Sequence, residues 1–280
     1  DTEHATSFVH FIKSPLEFKF PVTDTLFASA THNTLSFTST KNPMSGGAAT
    51  TLNMTDIDPA FAKFDFMTYE TGECIGLTKN NVALVPYLIY DRESYATPVI
   101  SGSKLLLVRL ESTGSANETF TISETRIIDN LRNDQVKYIQ AFDNYFYISF
   151  REGKFIRISE DGAVEELMAK QMFPVFKHAG TLYGFSYDGL YKSTTGKKWD
   201  LVSGMTANST LSNLQKLRYH TLSNDLLVAT FNSQLFKVDL SQKELRLVEL
   251  DNSGLDGNKI TSIARFKNRV YLTTLSGVFH

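Results

Sequence analysis

A short two-strand pattern recurs seven times along the chain and constrains its fold more than any single motif. Each copy is a run of alternating or continuous apolar and β-branched residues, then a polar turn with Gly, Asn or Asp, then a second such run. This pattern is typical of a β-hairpin. In the third copy, the longer polar insertion STGSANET replaces the turn. The copies begin at Leu26, Ile75, Lys104, Phe146, Leu182, Leu226 and Val270.

The spacing of the copies indicates the architecture. Six intervals separate Leu26 from Val270, so one repeat takes about 41 residues, the length of a four-stranded β-propeller blade. We therefore predict an all-β fold, a single β-propeller domain spanning residues 1–280, with seven four-stranded blades. Six blades are the alternative if the region near residues 56–95 is an insertion.

Short segments between the hairpins complete the predicted blades. Segments that precede a hairpin are predicted as innermost strands: VKYIQAF, PVFKH, QKLRYHT and ITSIARF. Segments that follow a hairpin mix charged with apolar residues, which discourages edge-to-edge aggregation, and are predicted as outer strands. These are EELMA, DLVS and LRLVEL. The helix-like stretch Ala163 to Met172 is accordingly interpreted as an outer strand with its connection.

The two ends of the chain suggest how the ring closes. The last repeat stops at His280 after three predicted strands, whereas the strand-like segment SFVHFI, Ser7 to Ile12, precedes the first full blade. We predict that this segment pairs with the outer edge of the last blade. Sharing one blade between the termini would leave no unsatisfied β edge.

Composition excludes several classes of protein. The 21 Phe and 12 Tyr against 7 Pro exclude a disordered chain, and 28 Lys and Arg against 30 Asp and Glu give a formal charge of -2. Nothing global therefore favours a nucleic-acid partner. The single cysteine, Cys74, excludes an intrachain disulfide. No apolar run approaches the roughly 18 residues that a membrane span requires.

The first residues point to export. The chain starts at Asp1 with the polar segment DTEHATS, which is what remains when a leader or a lipid-anchoring signal has been removed, or when a chain has been trimmed. We therefore expect an exported protein that is periplasmic, secreted or surface-anchored.

Two stretches resemble known propeller repeats. The C-terminal stretch SGLDGNKITSIARFKNRVYLTTLSGVFH resembles the repeat of two-component-regulator-type propellers. The stretch GLYKSTTGKKWDLVS resembles the Asp-box of sialidase-like propellers, with Thr195 in place of the aspartate and a turn one residue short. These likenesses imply an exported bacterial propeller, and both motifs shape a blade corner. The residues that carry them are Gly254, Leu255, Ile260, Ser262, Ile263, Thr274, Gly277, Val278 and Phe279 for the first, and Ser193, Gly196 and Trp199 for the second.

The chain carries few motifs of catalytic or metal chemistry. The six histidines lack the close spacing of a metal motif, and DNSGLDGN, residues 251–258, fails the EF-hand pattern. We therefore expect neither a cofactor nor a metal site. A sialidase would need an arginine cluster, a Tyr nucleophile and an Asp acid. Residues of those types are Arg92, Arg109, Arg126, Tyr187 and Asp188, whereas the N-terminal Arg-Ile/Leu-Pro signature of such enzymes is absent.

Three functions remain open. The favoured hypothesis is a non-catalytic, exported propeller that binds a protein or glycan on one face of its ring or at the channel mouth, because loops on a rigid scaffold carry binding residues. The alternatives are a carbohydrate-active enzyme of propeller fold and the sensor component of an envelope signalling assembly. The predicted binding residues lie at the hairpin tips: Asn33, Asn80, Glu152, Asp188 and Asn232.

Deleting residues 1–12 tests the predicted closure. The truncation should lower the melting temperature of the whole fold, because it would remove the strand that completes the last blade. A melting temperature equal to that of the full chain would contradict the closure.

Overall fold

The computed structural model describes most of the chain in segments. Within the described residues the backbone is mostly β-strand, with a four-residue helix, α1 (Met54–Ile57), and a 3-10 turn (Ser253–Leu255). The described residues are 18–21, 26–30, 34–39, 50–59, 64–66, 76–91, 99–113, 120–128, 136–204, 214, 216–223, 226–240, 246–255, 259–266, 269–274 and 278–279.

The chain divides into two compact units, residues 1–169 (the first unit) and 170–280 (the second unit). The described strands of the first unit form three antiparallel sheets. The first sheet contains β1 (Phe18–Pro21), β2 (Leu26–Ala30), β3 (Thr34–Ser39) and β4 (Thr50–Asn53). The second contains β5 (Phe64–Phe66), β6 (Gly76–Leu77), β7 (Val82–Asp91), β8 (Val99–Ser112) and β9 (Phe120–Ile128). The third contains β10 (Val136–Phe142), β11 (Tyr145–Phe150), β12 (Phe155–Ser159) and β13 (Val164–Met168).

The described strands of the second unit form three more sheets. The fourth sheet contains β14 (Val175–His178), β15 (Thr181–Ser186), β16 (Gly189–Ser193) and β17 (Asp200–Gly204). The fifth contains β18 (Arg218–Ser223), β19 (Leu226–Phe231), β20 (Gln234–Asp239) and β21 (Arg246–Glu249). The sixth contains β22 (Ile260–Phe266), β23 (Arg269–Thr274) and β24 (Val278–Phe279). The organisation of these units as one domain stays a prediction.

The order of strands within the sheets is that of propeller blades. In the first, third, fourth and fifth sheets, four consecutive strands pair in chain order as an antiparallel meander. The protein is an all-β chain of the β-propeller class, as the repeat predicts. The segments predicted as innermost and outer strands lie at opposite edges of their sheets, while their places relative to a ring axis stay predictions. The segment VKYIQAF is β10, at one edge of the third sheet, and the first four residues of EELMA lie in β13 at the other.

The second sheet departs from one hairpin per blade. Strand β7 pairs with β8 from Val82↔Arg109 to Asp91↔Val99, and β8 continues into pairing with β9. The second and third hairpin copies therefore share one sheet, because β7 and β8 are long enough to pair with each other directly. Six sheets result among the described residues, and the number of blades in the whole chain stays a prediction. The closing segment, Ser7 to Ile12, lies outside the described residues.

The cores consist of side chains from facing sheets. In the first unit, Val82 and Leu107 of the second sheet form one buried cluster with Ile139 and Phe146 of the third. In the second unit, Phe176 of β14 stacks on Tyr219 of β18 with ring centroids 4.6 Å apart. Burial of such large apolar surfaces is the main term that favours the folded state.

The turn that resembles an Asp-box is closed by side chains. Ser193 Oγ accepts a hydrogen bond from the Gly196 N–H at 2.9 Å, and Gly196 adopts a positive φ of 72°. Trp199 then turns into the core and is only 8% exposed. The turn therefore directs the tryptophan inward, while its membership of the Asp-box repeat type stays a prediction.

Gly76 lies at a close approach of the second sheet to the third. A Cβ at this position would lie 2.9 Å from Phe146 Cδ1 and 3.1 Å from Ile139 Cγ2. We predict that Gly76→Ala lowers the free energy of unfolding by about 1–3 kcal/mol, because overpacking forces ring and backbone to shift. Urea unfolding measures the loss. Gly254→Ala is the matched control, since its Cβ would meet no described heavy atom within 4 Å. Equal stabilities of the two variants would contradict this account of the packing.

Candidate functional site

Four of the five predicted binding residues lie in described turns. Asn80 lies between β6 and β7, Glu152 between β11 and β12, Asp188 between β15 and β16, and Asn232 between β19 and β20. Asn33 lies outside the described residues. Their role in binding stays a prediction. The structure does show which groups of the chain these residues contact.

Asn80 and Glu152 do not share a rim. The Asn80 Nδ2 donates to Glu160 Oε2 at 2.8 Å, and Glu160 belongs to the turn between β12 and β13. In an antiparallel meander, that turn and the turn carrying Glu152 lie at opposite ends of the sheet. The expectation that the hairpin tips line one rim is therefore wrong for this pair.

Asn232 and Glu152 occupy turns with positive φ angles. Asn232 has a φ of 53°, a conformation that asparagine tolerates better than most residues, and its carbonyl accepts the Ile260 N–H at 2.7 Å. Its backbone thus connects the fifth sheet to the start of the sixth. Glu152 is exposed, and the next residue, Gly153, has a φ of 89°.

The arginines named for a sialidase clamp are used within the chain. Arg109 Nε lies 3.3 Å from Glu124 Oε2, and its Nη2 donates to the Glu160 carbonyl at 3.5 Å. Arg126 Nη1 donates to the Asp161 carbonyl. Both guanidinium groups therefore hold the β12–β13 turn, while Arg92 lies outside the described residues.

A compact polar group surrounds the remaining tip residue, Asp188. Lys170 Nζ donates to Asp188 Oδ2 at 2.7 Å and to the Tyr191 hydroxyl at 2.8 Å. The Tyr191 hydroxyl donates in turn to Asp188 Oδ2 at 2.8 Å. These three residues and Tyr187 are called the tip cluster below.

The fold brings the tip cluster together from two places. Tyr187 and Asp188 form the two-residue turn between Ser186 and Gly189, which pair across the hairpin. Tyr191 is buried in β16, whereas Lys170 comes from the connection between β13 and β14. The ammonium of Lys170 thus ties this connection to the hairpin tip.

The electrostatics of the cluster favour two fixed charges. Burial alone would raise the pKa of Asp188, but hydrogen bonds from Lys170 and Tyr191 outweigh it, and the pKa is lowered. Hydrogen bonds to Asp188 and Tyr191 raise the pKa of Lys170, against the opposing effect of burial. Both side chains are therefore charged at neutral pH. This state suits neither an Asp acid nor a Lys nucleophile.

Tyr187 is the exposed member of the cluster. Its side chain lies beside Lys170, with Nζ 5.4 Å from the ring centroid, yet the residue is 70% exposed. The same Nζ lies 4.9 Å from the Tyr191 ring. A cation within about 6 Å of an aromatic ring attracts it electrostatically. The cluster thus presents an aromatic ring to solvent beside a neutralised ion pair.

Sequence reasoning found Asp188 but missed two of its partners. Asp188 stands out because it follows an apolar run and precedes a glycine, the signal of a turn. Tyr191 lies two residues after Gly189, so alternation along a strand places both on the same face of the sheet. Its position near the turn could therefore have been inferred from the sequence. The contact of Lys170 with Asp188 could not be predicted from the sequence. The two residues are 18 positions apart, and only the folding of the fourth sheet brings them together.

An open pocket of about 640 Å³ in the first unit is lined by β4, α1 and β9, including Asp56 and Arg126. The Arg126 guanidinium already donates to the Asp161 carbonyl in the β12–β13 turn. Within the described ranges, no group of three or more His, Cys, Asp or Glu side chains could hold a metal ion. Nor does any described helix have the length and apolar character needed to cross a membrane.

No protein-family model matches the chain, and no curated protein matches it. Several solved structures are similar to it. The AfRom2 CNH domain is 10% identical over 94% of this chain and 78% of its own, with a TM-score of 0.46. The major Malassezia sympodialis allergen Mala s 1 is 12% identical over 92% of this chain and 86% of its own, with a TM-score of 0.47. BamB from Moraxella catarrhalis is 12% identical over 91% and 78%, with a TM-score of 0.40. At these values the fold assignment rests on the sheet topology alone.

The Asp188 and Lys170 charges predict a pH window for the stability of the tip cluster. Because the pKa of Asp188 is lowered in the folded state, its carboxylate stabilises the fold fully at pH values above its ordinary pKa of 3.8. That stabilisation is lost as the pH falls through the folded-state pKa. Because the pKa of Lys170 is raised in the folded state, its ammonium stabilises the fold fully at pH values below its ordinary pKa of 10.5. That stabilisation is lost as the pH rises through the folded-state pKa. Asp188→Asn should therefore lower the free energy of unfolding at neutral pH, by less than about 1 kcal/mol because the pair is partly solvated.

Urea unfolding of wild type and Asp188→Asn across the acid range measures this difference. The gap between the two proteins should close as the pH falls below 3.8. Asp200→Asn is the control. Asp200 Oδ1 lies 3.3 Å from Lys198 Nζ, but the Lys198 side chain is 82% exposed, so this ion pair contributes little to stability. A gap that stays constant down to the lowest pH would show that the Asp188 charge does not stabilise the tip.

Proposed function

We propose that this protein is a non-catalytic β-propeller that binds a partner molecule through the tip cluster. The observation that carries the proposal is the exposed ring of Tyr187, held at a turn by the hydrogen-bonded Lys170, Asp188 and Tyr191. Aromatic side chains on rigid elements dominate binding energy in recognition sites. The proposal extends the predicted role of Asp188 to the residues around it.

The chemistry of the cluster supports binding over catalysis. A glycosidase acid requires a raised pKa, whereas hydrogen bonds lower the pKa of Asp188. The carboxylate clamp of a sialidase requires free guanidinium groups, whereas Arg109 and Arg126 donate to turn carbonyls. These observations do not favour the carbohydrate-active enzyme.

The other predicted tips support the proposal less strongly. Asn80 bonds Glu160, and the Asn232 carbonyl bonds Ile260, so both serve contacts between sheets. Their roles in binding stay predictions, as does that of Glu152. Export also stays a prediction from the sequence, which cell fractionation would test.

A thermal-shift panel tests the proposed function. We expect at least one member of a panel of calcium, sialic acid and neutral and acidic glycans to raise the melting temperature of the wild type, because a ligand that binds only the folded state stabilises it. Tyr187→Ala should abolish the shift. Phe231→Ala should keep it, since Phe231 is an exposed aromatic at the neighbouring β19–β20 tip.

Fluorogenic sialosides and neutral glycosides supply the catalytic control. The wild type should release no fluorophore above the uncatalysed rate. Turnover that Asp188→Asn abolishes would overturn the non-catalytic proposal. A ligand shift that survives in Tyr187→Ala would place binding elsewhere on the chain.

A further inference from the structure

We infer that the ligand of the tip cluster is a neutral, hydroxyl-rich molecule, a carbohydrate that lays one face of a sugar ring on Tyr187. This inference rests on the proposed function and names the class of its ligand. It depends on three properties of the cluster: its net charge, the remaining donor of Lys170 and the exposure of its aromatic ring.

The net charge of the cluster is zero. Lys170 Nζ and Asp188 Oδ2 lie 2.7 Å apart and neutralise each other, with side chains 21% and 37% exposed. An anionic or cationic ligand would gain from one charge and lose to the other at nearly the same distance. A neutral ligand meets no such penalty.

The polar groups that remain for a ligand suit hydroxyls. An ammonium has three N–H donors. Two of those of Lys170 serve Asp188 and Tyr191 at 2.7 and 2.8 Å, which leaves one without an acceptor among the described residues. A sugar hydroxyl can accept from that donor. Asp188 Oδ1 is buried and has no hydrogen-bond partner in the described part of the chain, so Asp188 is a positioning residue that does not touch the ligand.

Tyr187 has the size of a sugar platform. It is the most exposed large apolar side chain in the described part of the chain, at 70%, and the others lie on four different strands: Val164, Leu201, Phe231 and Val248. Protein partners bind contiguous apolar patches of several hundred Å². A single ring instead matches one pyranose, whose axial C–H groups carry partial positive charge toward the negative face of the tyrosine.

The rigidity of the tip makes one such contact effective. Three hydrogen bonds of 2.7 to 2.8 Å connect the turn, β16 and the β13–β14 connection. A site that is already ordered loses little conformational entropy when a ligand binds. Weak stacking can then give measurable affinity.

Saturation-transfer NMR tests the inference on the full chain. The probes are linear trisaccharides of glucose, galactose, mannose and xylose, with sialyllactose and a heparin tetrasaccharide as anionic comparisons. Tyr187→Ala should weaken binding of a neutral trisaccharide by about tenfold or more, since loss of one stacking contact costs on the order of one decade in affinity. Tyr187→Phe should stay within about twofold because the ring remains, as should the control Phe231→Ala.

The outcomes separate the ligand class from the proposed function. Neutral trisaccharide binding that is lost in Tyr187→Ala and kept in Tyr187→Phe and Phe231→Ala supports both. Binding of only an anionic probe, or of none of the sugars, overturns the inference of a neutral carbohydrate ligand. The proposed function is then decided separately by the thermal-shift panel with Tyr187→Ala. Neutral sugar binding that Tyr187→Ala does not change overturns the tip cluster as the site, and with it both proposals. Circular dichroism of every variant confirms that a loss is not unfolding.

Discussion

Both faces of the central strands are buried, and the arrangement of the chain depends on that property. In β11 all residues from Phe146 to Phe150 are buried, and in β12 so are all from Phe155 to Ile158. Because successive side chains point to opposite faces, an unbroken buried run must be covered on both. The second sheet covers one face through the cluster around Phe146, and Gly76 allows β6 to approach within van der Waals distance.

The third sheet also places a charge in this apolar setting. Arg157 is 3% exposed, and the register sets it between Tyr147 of β11 and Glu165 of β13. Its Nε and Nη2 lie 2.7 and 2.6 Å from Glu165 Oε2, and its guanidinium lies 4.3 Å from the Tyr145 ring centroid. A buried cation must be paired to be tolerated. The acidic residues of the outer strand, predicted only to protect the edge, therefore also neutralise a charge inside the sheet.

Local periodicity accounts for what the sequence could predict. The hairpins and the innermost and outer strands follow from alternation and turn residues, which act over a few positions. Two features escaped because pairing decides them. The second and third hairpins share a sheet through β7 and β8, and Asn80 lies at the end of the third sheet opposite Glu152. In the site, Asp188 is visible as a turn residue, whereas Lys170 reaches it only through the folded sheet.

The comparison of two similar turns explains why one of them is the better candidate for binding. At the β19–β20 tip, the Asn232 carbonyl accepts the Ile260 N–H, so the backbone of the turn is used to join the next sheet. At the β15–β16 tip, the side chains of Asp188 and Lys170 make the connection, and no backbone group of Tyr187 appears among the described turn contacts. Tyr187 lies in the turn itself and is 70% exposed, whereas Phe231 is paired with Gln234 at the end of β19 and is 37% exposed. The β15–β16 tip therefore presents an aromatic ring from the turn, and the β19–β20 tip presents one only from the strand that leads into it.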